Sequence, residues 1–258
     1  MYLIKLGGSV ITEKAHAEGV FKQKVMDDLA AAIKHSKQQI ILVHGAGSYG
    51  HVLAKKYNLQ HGLSDDKQLF GYALTQAKVQ ELNTLVLHSL QKCGINAVSI
   101  PPHASIKLKD QKIHTFHSEL FKNYIEHGFT PVTYGDVVLD INHTFTICSG
   151  DLLIEMLVTI FHPEKVIFVI DEDGLYTANP KKDKDARFID TISIDNLTNL
   201  TTKIDDHADV TKGMEGKLKT ITSIAQQNID SILLNGNKPD RLYDVLVGNE
   251  TTFTLIKR

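Results

Sequence analysis

Short apolar runs alternate along the chain with longer stretches in which apolar residues recur every three or four positions. The runs 2–6, 39–43, 97–100, 130–134, 165–170 and 231–234 are mostly rich in Val and Ile and read as strands. The stretches 22–36, 66–92, 117–127, 151–161, 214–227 and 239–246 carry a helical period. Such alternation predicts an α/β fold: a three-layer α/β/α sandwich with a mainly parallel central sheet. Residues 137–147 differ, because strand-like positions flank Asp140-Ile141-Asn142-His143; this predicts an added β-hairpin. Pro101-Pro102 and the polar stretch 180–187 read as loops, not domain boundaries. With no repeat or linker in view, the pattern predicts one domain over 1–258, softly divided into lobes 1–162 and 163–258.

Composition narrows the class. Twenty-eight basic and 30 acidic residues leave a net charge of −2, which argues against nucleic acid or an anionic membrane as the main partner. No apolar run reaches the roughly 18–20 residues of a membrane helix. The chain opens directly on strand-like residues, without signal-peptide architecture. Two cysteines, Cys93 and Cys148, make no disulfide framework and fit a reducing compartment, so a cytoplasmic location is expected. Thirteen histidines raise the question of a metal. His114 and His117 stand three apart, but no further spacing completes a zinc site, and no histidine metal site is expected.

Five glycine-bearing segments fall at strand ends or helix starts. Lys5-Leu6-Gly7-Gly8-Ser9 follows the first strand; its glycines allow a tight turn and leave bare N–H groups, beside a lysine. It fits an anion loop or a plain turn. His44-Gly45-Ala46-Gly47-Ser48-Tyr49-Gly50-His51 follows the second strand, with His44 read as the strand's end and a helix expected from residue 52. Its spacing formally matches GxGxxG, yet no acidic residue stands at a strand end about 20 residues on, so a nicotinamide dehydrogenase is a poor reading. Ser149-Gly150-Asp151 opens a helix, with Ser149 a capping residue. The loop 171–180, with Asp171, Glu172 and Asp173, suits an adenosine hydroxyl, a metal or a solvated turn. Residues 209–217 lead into a helix with Lys217 in its first turn, where its charge opposes the helix dipole unless an anion sits there. Taken together, the five segments suit the handling of several phosphates. Phosphoryl transfer asks a protein mainly for positioning and positive charge, which Lys5, Lys14 and Lys217 can supply.

On these residues the chain resembles the amino-acid-kinase family. The likeness runs nearly end to end, through 5–14, 44–51, 131–137, 149–151, 171–180, 209–217 and Asn235-Gly236-Asn237. The glycine-rich loop ending in His51 is the more specific feature, being shared by members that phosphorylate isopentenyl phosphate or fosfomycin. The resemblance implies the amino-acid-kinase fold, ATP as co-substrate, Mg²⁺ bridging the ATP phosphates, and small-molecule substrates. It also implies a homodimer, a phosphate-acceptor side in lobe 1–162 and a nucleotide side in 163–258. It implies ATP contacts at Lys5, Leu6, Gly7, Gly8, Ser9, Gly47, Asp171, Tyr176, Gly213 and Lys217. Lys14 would stabilise the transferring group, and Asp151 would orient the lysines. Ala46, His51 and Gly150 would hold the acceptor phosphate. Ala46, Tyr49 and Lys212 depart from the family pattern, the last where glycine is usual, which bears on loop geometry rather than on reaction class.

His51 suits a phosphate monoester, since a protonated imidazole is a charged donor and a dianion raises its pKa. A phosphate oxygen is already an ionised nucleophile and needs no base. The acceptor's tail should be small and apolar, with Phe70, Tyr72, Leu74, Val79 and Leu82 either its wall or an ordinary core face. The implied activity is ATP-dependent phosphorylation of isopentenyl phosphate to isopentenyl diphosphate. The alternatives are a kinase for another small phosphate or phosphonate such as fosfomycin, or a non-catalytic nucleotide-binding regulator.

Overall fold

The computed structural model describes residues 1–13, 19–180, 182–197 and 212–258. Its centre is an eight-stranded sheet. Five parallel strands carry the site: β1 (Tyr2–Leu6), β2 (Ile40–His44), β6 (Thr130–Tyr134), β9 (Lys165–Ile170) and β13 (Ser231–Asn235). β3 (Ala97–Ser99) extends one side beyond β6. On the other side β14 (Thr254–Lys257) runs antiparallel to β13 and parallel to β12 (Thr191–Ser193). The full order is β12-β14-β13-β9-β1-β2-β6-β3. The central strands are buried on both faces, so their sequences are continuous apolar runs rather than alternations.

Helices cover both faces. One face packs α2 (Gln23–Ser36), α4 (Lys67–Lys92) and α9 (Asp240–Val247) around Ile4, Leu6, Leu42, Ile167 and Leu234. The other packs α7 (Gly150–Phe161) and α8 (Lys212–Gln226) around Leu3, Ile41, Val43, Phe168 and Leu233. The predicted sandwich is therefore present, with two strands at one edge, β14 and β12, running against the others. The hairpin also forms, as β7 (Asp136–Asp140) and β8 (Thr144–Cys148). It belongs to a second, four-stranded sheet with a hairpin that the sequence pattern did not predict, β4 (Ile106–Lys109) and β5 (Lys112–Phe116).

β2 ends at His44, as expected, and His44 lies within the sheet. One boundary differs from expectation in a way that matters for the site. α3 (Gly47–Lys56) begins inside the glycine-rich segment rather than after it. Gly47, Ser48, Tyr49 and Gly50 are buried first-turn residues, and His51 stands on the helix. Glycine there reads as a loop signal, but packing against Thr12 and Val79 overrides that propensity.

The strand order decides where a ligand can sit. From β1 the chain proceeds to β2 and β6 on one side, while β9 and β13 pair on the other. β1 is thus the switch point of the sheet, and the crevice outside the carboxyl ends of β1, β2 and β9 is the expected binding place.

Candidate active site

A cavity of about 530 Å³ lies at that crevice. Its walls are the glycine turns. Gly7 and Gly8 lead from β1 into a short helix α1 (Gly8–Ile11), Gly45 and Ala46 lead from β2 into α3, and Gly150 opens α7. Each of these helix starts leaves first-turn N–H groups without an intrahelical acceptor.

The first two turns touch backbone to backbone. A Cβ on Gly8 would lie 2.6 Å from Gly47 N, and one on Gly45 would lie 2.7 Å from Gly8 N. Gly47 is doubly constrained: its φ is +52°, and a Cβ there would lie 2.3 Å from Thr12 Oγ1. Thr12 staples the pair, donating from Oγ1 to Gly8 O at 2.8 Å and accepting from Ser48 N at 3.1 Å.

The lysines come from opposite halves of the chain. On β1 the side chains alternate, so Leu3 and Lys5 face α7 while Ile4 and Leu6 face the other core. Lys5 is the last residue of that first face and pairs in register with Phe168. Its Nζ lies 6.0 Å from the Phe168 ring centre; that of Lys217, from α8, lies 5.5 Å from the same ring. Asp151, in the first turn of α7, forms an ion pair with Lys5. Burial, and then the adjacent Lys217, lower the Lys5 pKa to about 8 against the pull of Asp151. Burial pushes the Asp151 carboxyl up, but Lys5 and Lys217 outweigh it and hold the group below the usual range. Two ammonium groups held together against one carboxylate leave an excess of positive charge, which suits an anionic ligand.

Beyond the lysines the lining changes. His51 faces the cavity from α3, its pKa lowered by burial and secondly by Lys5, so the ligand-free imidazole is held toward the neutral form. The far end is apolar, formed by Val52, Ala54, Val79, Val137 and Ile147, with Thr75 among them. Behind it Tyr72 packs on Phe145 at 5.2 Å. Of the five residues expected as a wall on 66–92, only Val79 lines the cavity. Leu82 belongs to the core, Tyr72 stands behind the wall, Leu74 is half-buried off the cavity and Phe70 is exposed.

Most of the residues singled out in the sequence converge here: Lys5, Gly7, Gly8, Ser9, Ala46, Gly47, His51, Gly150, Asp151, Asp171 and Lys217 all line the one cavity. Leu6 does not, since the strand period turns its side chain into the core. Tyr176 stands on a small ribbon, β10 (Leu175–Tyr176) with β11 (Phe188–Ile189), where it packs on Phe188 and does not line the cavity. Gly213 lies in the first turn of α8, before Lys217. Lys14 lies outside the described residues. In the loop 171–180, Asp173 is taken up by Asn235, Lys238 and Arg241, which tie the loop to the end of β13.

Thr12, Ser48, Gly135 and Asp136 also line the cavity; they lie in segments singled out in the sequence but had no role assigned to them. The Ser48 hydroxyl is buried and has no partner among the described residues. Asp136 is fully buried and takes a 2.7 Å hydrogen bond from the His103 imidazole. Gly135 lies beside the amides of two of the glycine turns. A Cβ there would stand 3.3 Å from Gly150 N and 3.5 Å from Ala46 N, in the space an oxyanion held by both would fill.

The chain matches the Amino acid kinase family model over residues 1–235. It is 39% identical to the isopentenyl phosphate kinase of Methanothermobacter thermautotrophicus, over 99% of this chain and 98% of that protein. It is 30% identical to the isopentenyl phosphate kinase of Thermoplasma acidophilum, over 95% and 96%. An X-ray structure of isopentenyl phosphate kinase superposes with a TM-score of 0.87 at 36% identity, covering 99% of this chain and all of that one.

The cradle at Gly135 gives a first expectation. Gly135→Ala should lower kcat/KM for the anionic acceptor about a hundredfold, the cost of roughly 1 Å of misplacement, with melting temperature and nucleotide KM nearly unchanged. Normal acceptor kinetics in this variant would show that no oxyanion sits between Ala46 and Gly150. The lowered His51 pKa gives a second. A dianion bound to the imidazole raises its pKa, so affinity from His51 is complete below the free pKa and is lost as pH rises through the bound one. Calorimetry of acceptor binding in buffers of different ionisation enthalpy, at about pH 7, should show greater proton uptake by the wild type than by His51→Asn. Equal uptake would contradict it.

Proposed function

The chain belongs to the amino-acid-kinase family, and from that premise we propose that it transfers the γ-phosphoryl group of ATP directly to isopentenyl phosphate. The products are isopentenyl diphosphate and ADP. What carries the reading is the composition of one cavity: two mutually repelling ammonium groups and glycine amides at one end, a histidine beside them, and a small apolar chamber at the other. The isopentenyl phosphate kinases that the chain matches over almost its whole length support the same reading.

The chemistry follows from these positions. The amides of Ala46 and Gly150 and the protonated His51 hold the acceptor phosphate, with its apolar tail toward Val79, Val137 and Ile147. The glycine turn Gly7–Ser9 and the amide of Gly47 hold the nucleotide phosphates. Asp171, Tyr176 and Gly213 belong to the nucleotide side, in the lobe 163–258. An acceptor oxygen, already ionised, attacks the γ-phosphorus in line. The bond from that phosphorus to the β–γ bridging oxygen breaks, and ADP leaves with its electron pair. Lys5 and Lys217, with Lys14, place positive charge on the transferring oxygens, and Asp151 fixes the direction of Lys5. The wall offers amides, ammonium groups and the carboxylates of Asp136, Asp151 and Asp171, of which Asp151 is engaged by Lys5 and Asp136 by His103. A Mg²⁺ ion brought in with the nucleotide would supply further charge neutralisation, with few direct protein ligands. The same reading carries a cytoplasmic homodimer acting on small molecules, without a nucleic acid or membrane partner.

A coupled assay of ADP release with isopentenyl phosphate, dimethylallyl phosphate and fosfomycin separates the possibilities. The highest kcat/KM is expected with isopentenyl phosphate. A preference for fosfomycin would reassign the acceptor, and no release with any of them would indicate a regulator. His51→Ala removes a charge-assisted hydrogen bond of about 1.5–3 kcal/mol. Its acceptor KM should rise roughly ten- to hundredfold while ATP binding persists. Near-normal kinetics on isopentenyl phosphate would remove His51 from the site. The apolar chamber should also set tail length: Val79→Ala and Ile147→Ala should admit longer alkenyl phosphates, and Val79→Phe should exclude the five-carbon one. Unchanged preference in all three variants would place the tail elsewhere.

A further inference from the structure

His44 is among the most thoroughly enclosed polar residues of the chain, fully buried at the end of β2, and the phosphoryl-transfer scheme gives it no part. Its ring stacks on Tyr134, its partner in the β2–β6 register, with centroids 5.2 Å apart. Its Nδ1 lies 3.1 Å from Gly45 O and its Nε2 3.3 Å from Asn83 Oδ1. Asn83 Nδ2 lies 2.9 Å from Ser99 Oγ, and Ser99 in turn hydrogen-bonds the Tyr134 side chain.

Both ring nitrogens face an oxygen, and a carbonyl or amide oxygen only accepts, so the two contacts together ask for two ring hydrogens. Burial holds the imidazole neutral, with its pKa lowered to about 4, so the ring carries one. Gly45 O is fixed in the backbone, whereas the oxygen and nitrogen of the Asn83 amide exchange by a 180° turn; with the hydrogen on Nδ1, the turned amide presents its NH₂ to Nε2 and its oxygen to the Ser99 hydroxyl. Every member thereby gains a matched partner.

The end of this chain of bonds is the acceptor site. Gly45 C=O and Ala46 N–H belong to one planar peptide unit and point in opposite directions. Gly45 N is also held, donating to Leu6 O at 2.9 Å. Fixing Gly45 O from behind therefore fixes the direction of Ala46 N–H in front. On the other side, the His44 carbonyl accepts from Gly135 N at 3.0 Å and places the residue that borders the same space. We infer that His44 is a positioning residue: its Nδ1–H locks the Gly45–Ala46 peptide plane so that Ala46 N–H is aimed at the acceptor phosphate. The inference rests on the proposed function in taking Ala46 N–H as an acceptor contact.

Two measurements test it. In protein labelled with ¹⁵N-histidine, the His44 ring should be in the Nδ1–H tautomer at neutral pH, with and without acceptor. The Nε2–H tautomer would overturn the inference. This reading is made on the wild type and does not depend on any variant folding. In kinetics, His44→Phe keeps the stack on Tyr134 but has no donor, and should raise the KM for isopentenyl phosphate roughly tenfold with the KM for ATP unchanged. His44→Asn returns an N–H near the Nδ1 position and should recover most of that loss. An unchanged acceptor KM in His44→Phe, or an Asn variant no better than Phe, would also overturn it. Failure of the wild type to phosphorylate isopentenyl phosphate would sink the functional reading while leaving the tautomer test intact.

Discussion

The contact between the first two glycine turns is the constraint on which the site depends. Adjacent parallel strands β1 and β2 end side by side, and their turns meet at Gly8, Gly45 and Gly47 with no room for a Cβ. A side chain at any of the three would drive the turns apart. Two amide-bearing helix starts would then no longer face one cavity, and Lys5, the last cleft-facing residue of β1, would lose its place beside Gly150 and Asp151. Thr12 holds this contact from one side with two hydrogen bonds, and Gly45 N holds it from the other through Leu6 O.

Around that backbone frame the protein maintains an electrostatic imbalance. Lys5 is buried beside Lys217, and burial, with that neighbour, lowers its pKa and so opposes its charged form. The imbalance is tolerated because Asp151 offsets part of it and because the Phe168 ring lies within cation–π reach of both ammonium groups. Phosphate oxygens arriving in the cavity would relieve it. This is preorganised charge: the cost is met in folding, and the reacting phosphoryl group meets donors already in place. The His44 network extends the same logic to the acceptor side, where direction rather than charge is what must be fixed in advance.

Much of this was legible in the sequence, for identifiable reasons. β2 and β9 are runs rich in Val and Ile, and β1, β6 and β13 are short apolar segments set between helical stretches, so all five stood out. β4 and β5 did not, because their four- and five-residue alternation turns at Asp110-Gln111, both in the left-handed region, without a glycine to mark it. β14 is similarly short and joins the sheet only through distant partners. In the site, Lys5, Asp151 and Lys217 could be found because charge beside glycine at a strand end or helix start is a local signal. Thr12, Gly135 and Ser48 could not, since their roles lie in which backbone atoms they approach. The start of α3 was misplaced for a related reason: glycine in isolation signals a loop, and only the close approach of α1 turns it into a helical first turn.

The most direct measurement of the central claim is ³¹P NMR of the protein with ATP, Mg²⁺ and isopentenyl phosphate. Direct transfer between phosphates predicts that the γ-phosphate resonance of ATP and the monophosphate resonance of the acceptor disappear together. Two coupled diphosphate resonances of the product, and those of ADP, should replace them. Loss of the γ-phosphate to inorganic phosphate with the acceptor resonance intact would contradict the account, as would an ATP spectrum that does not change.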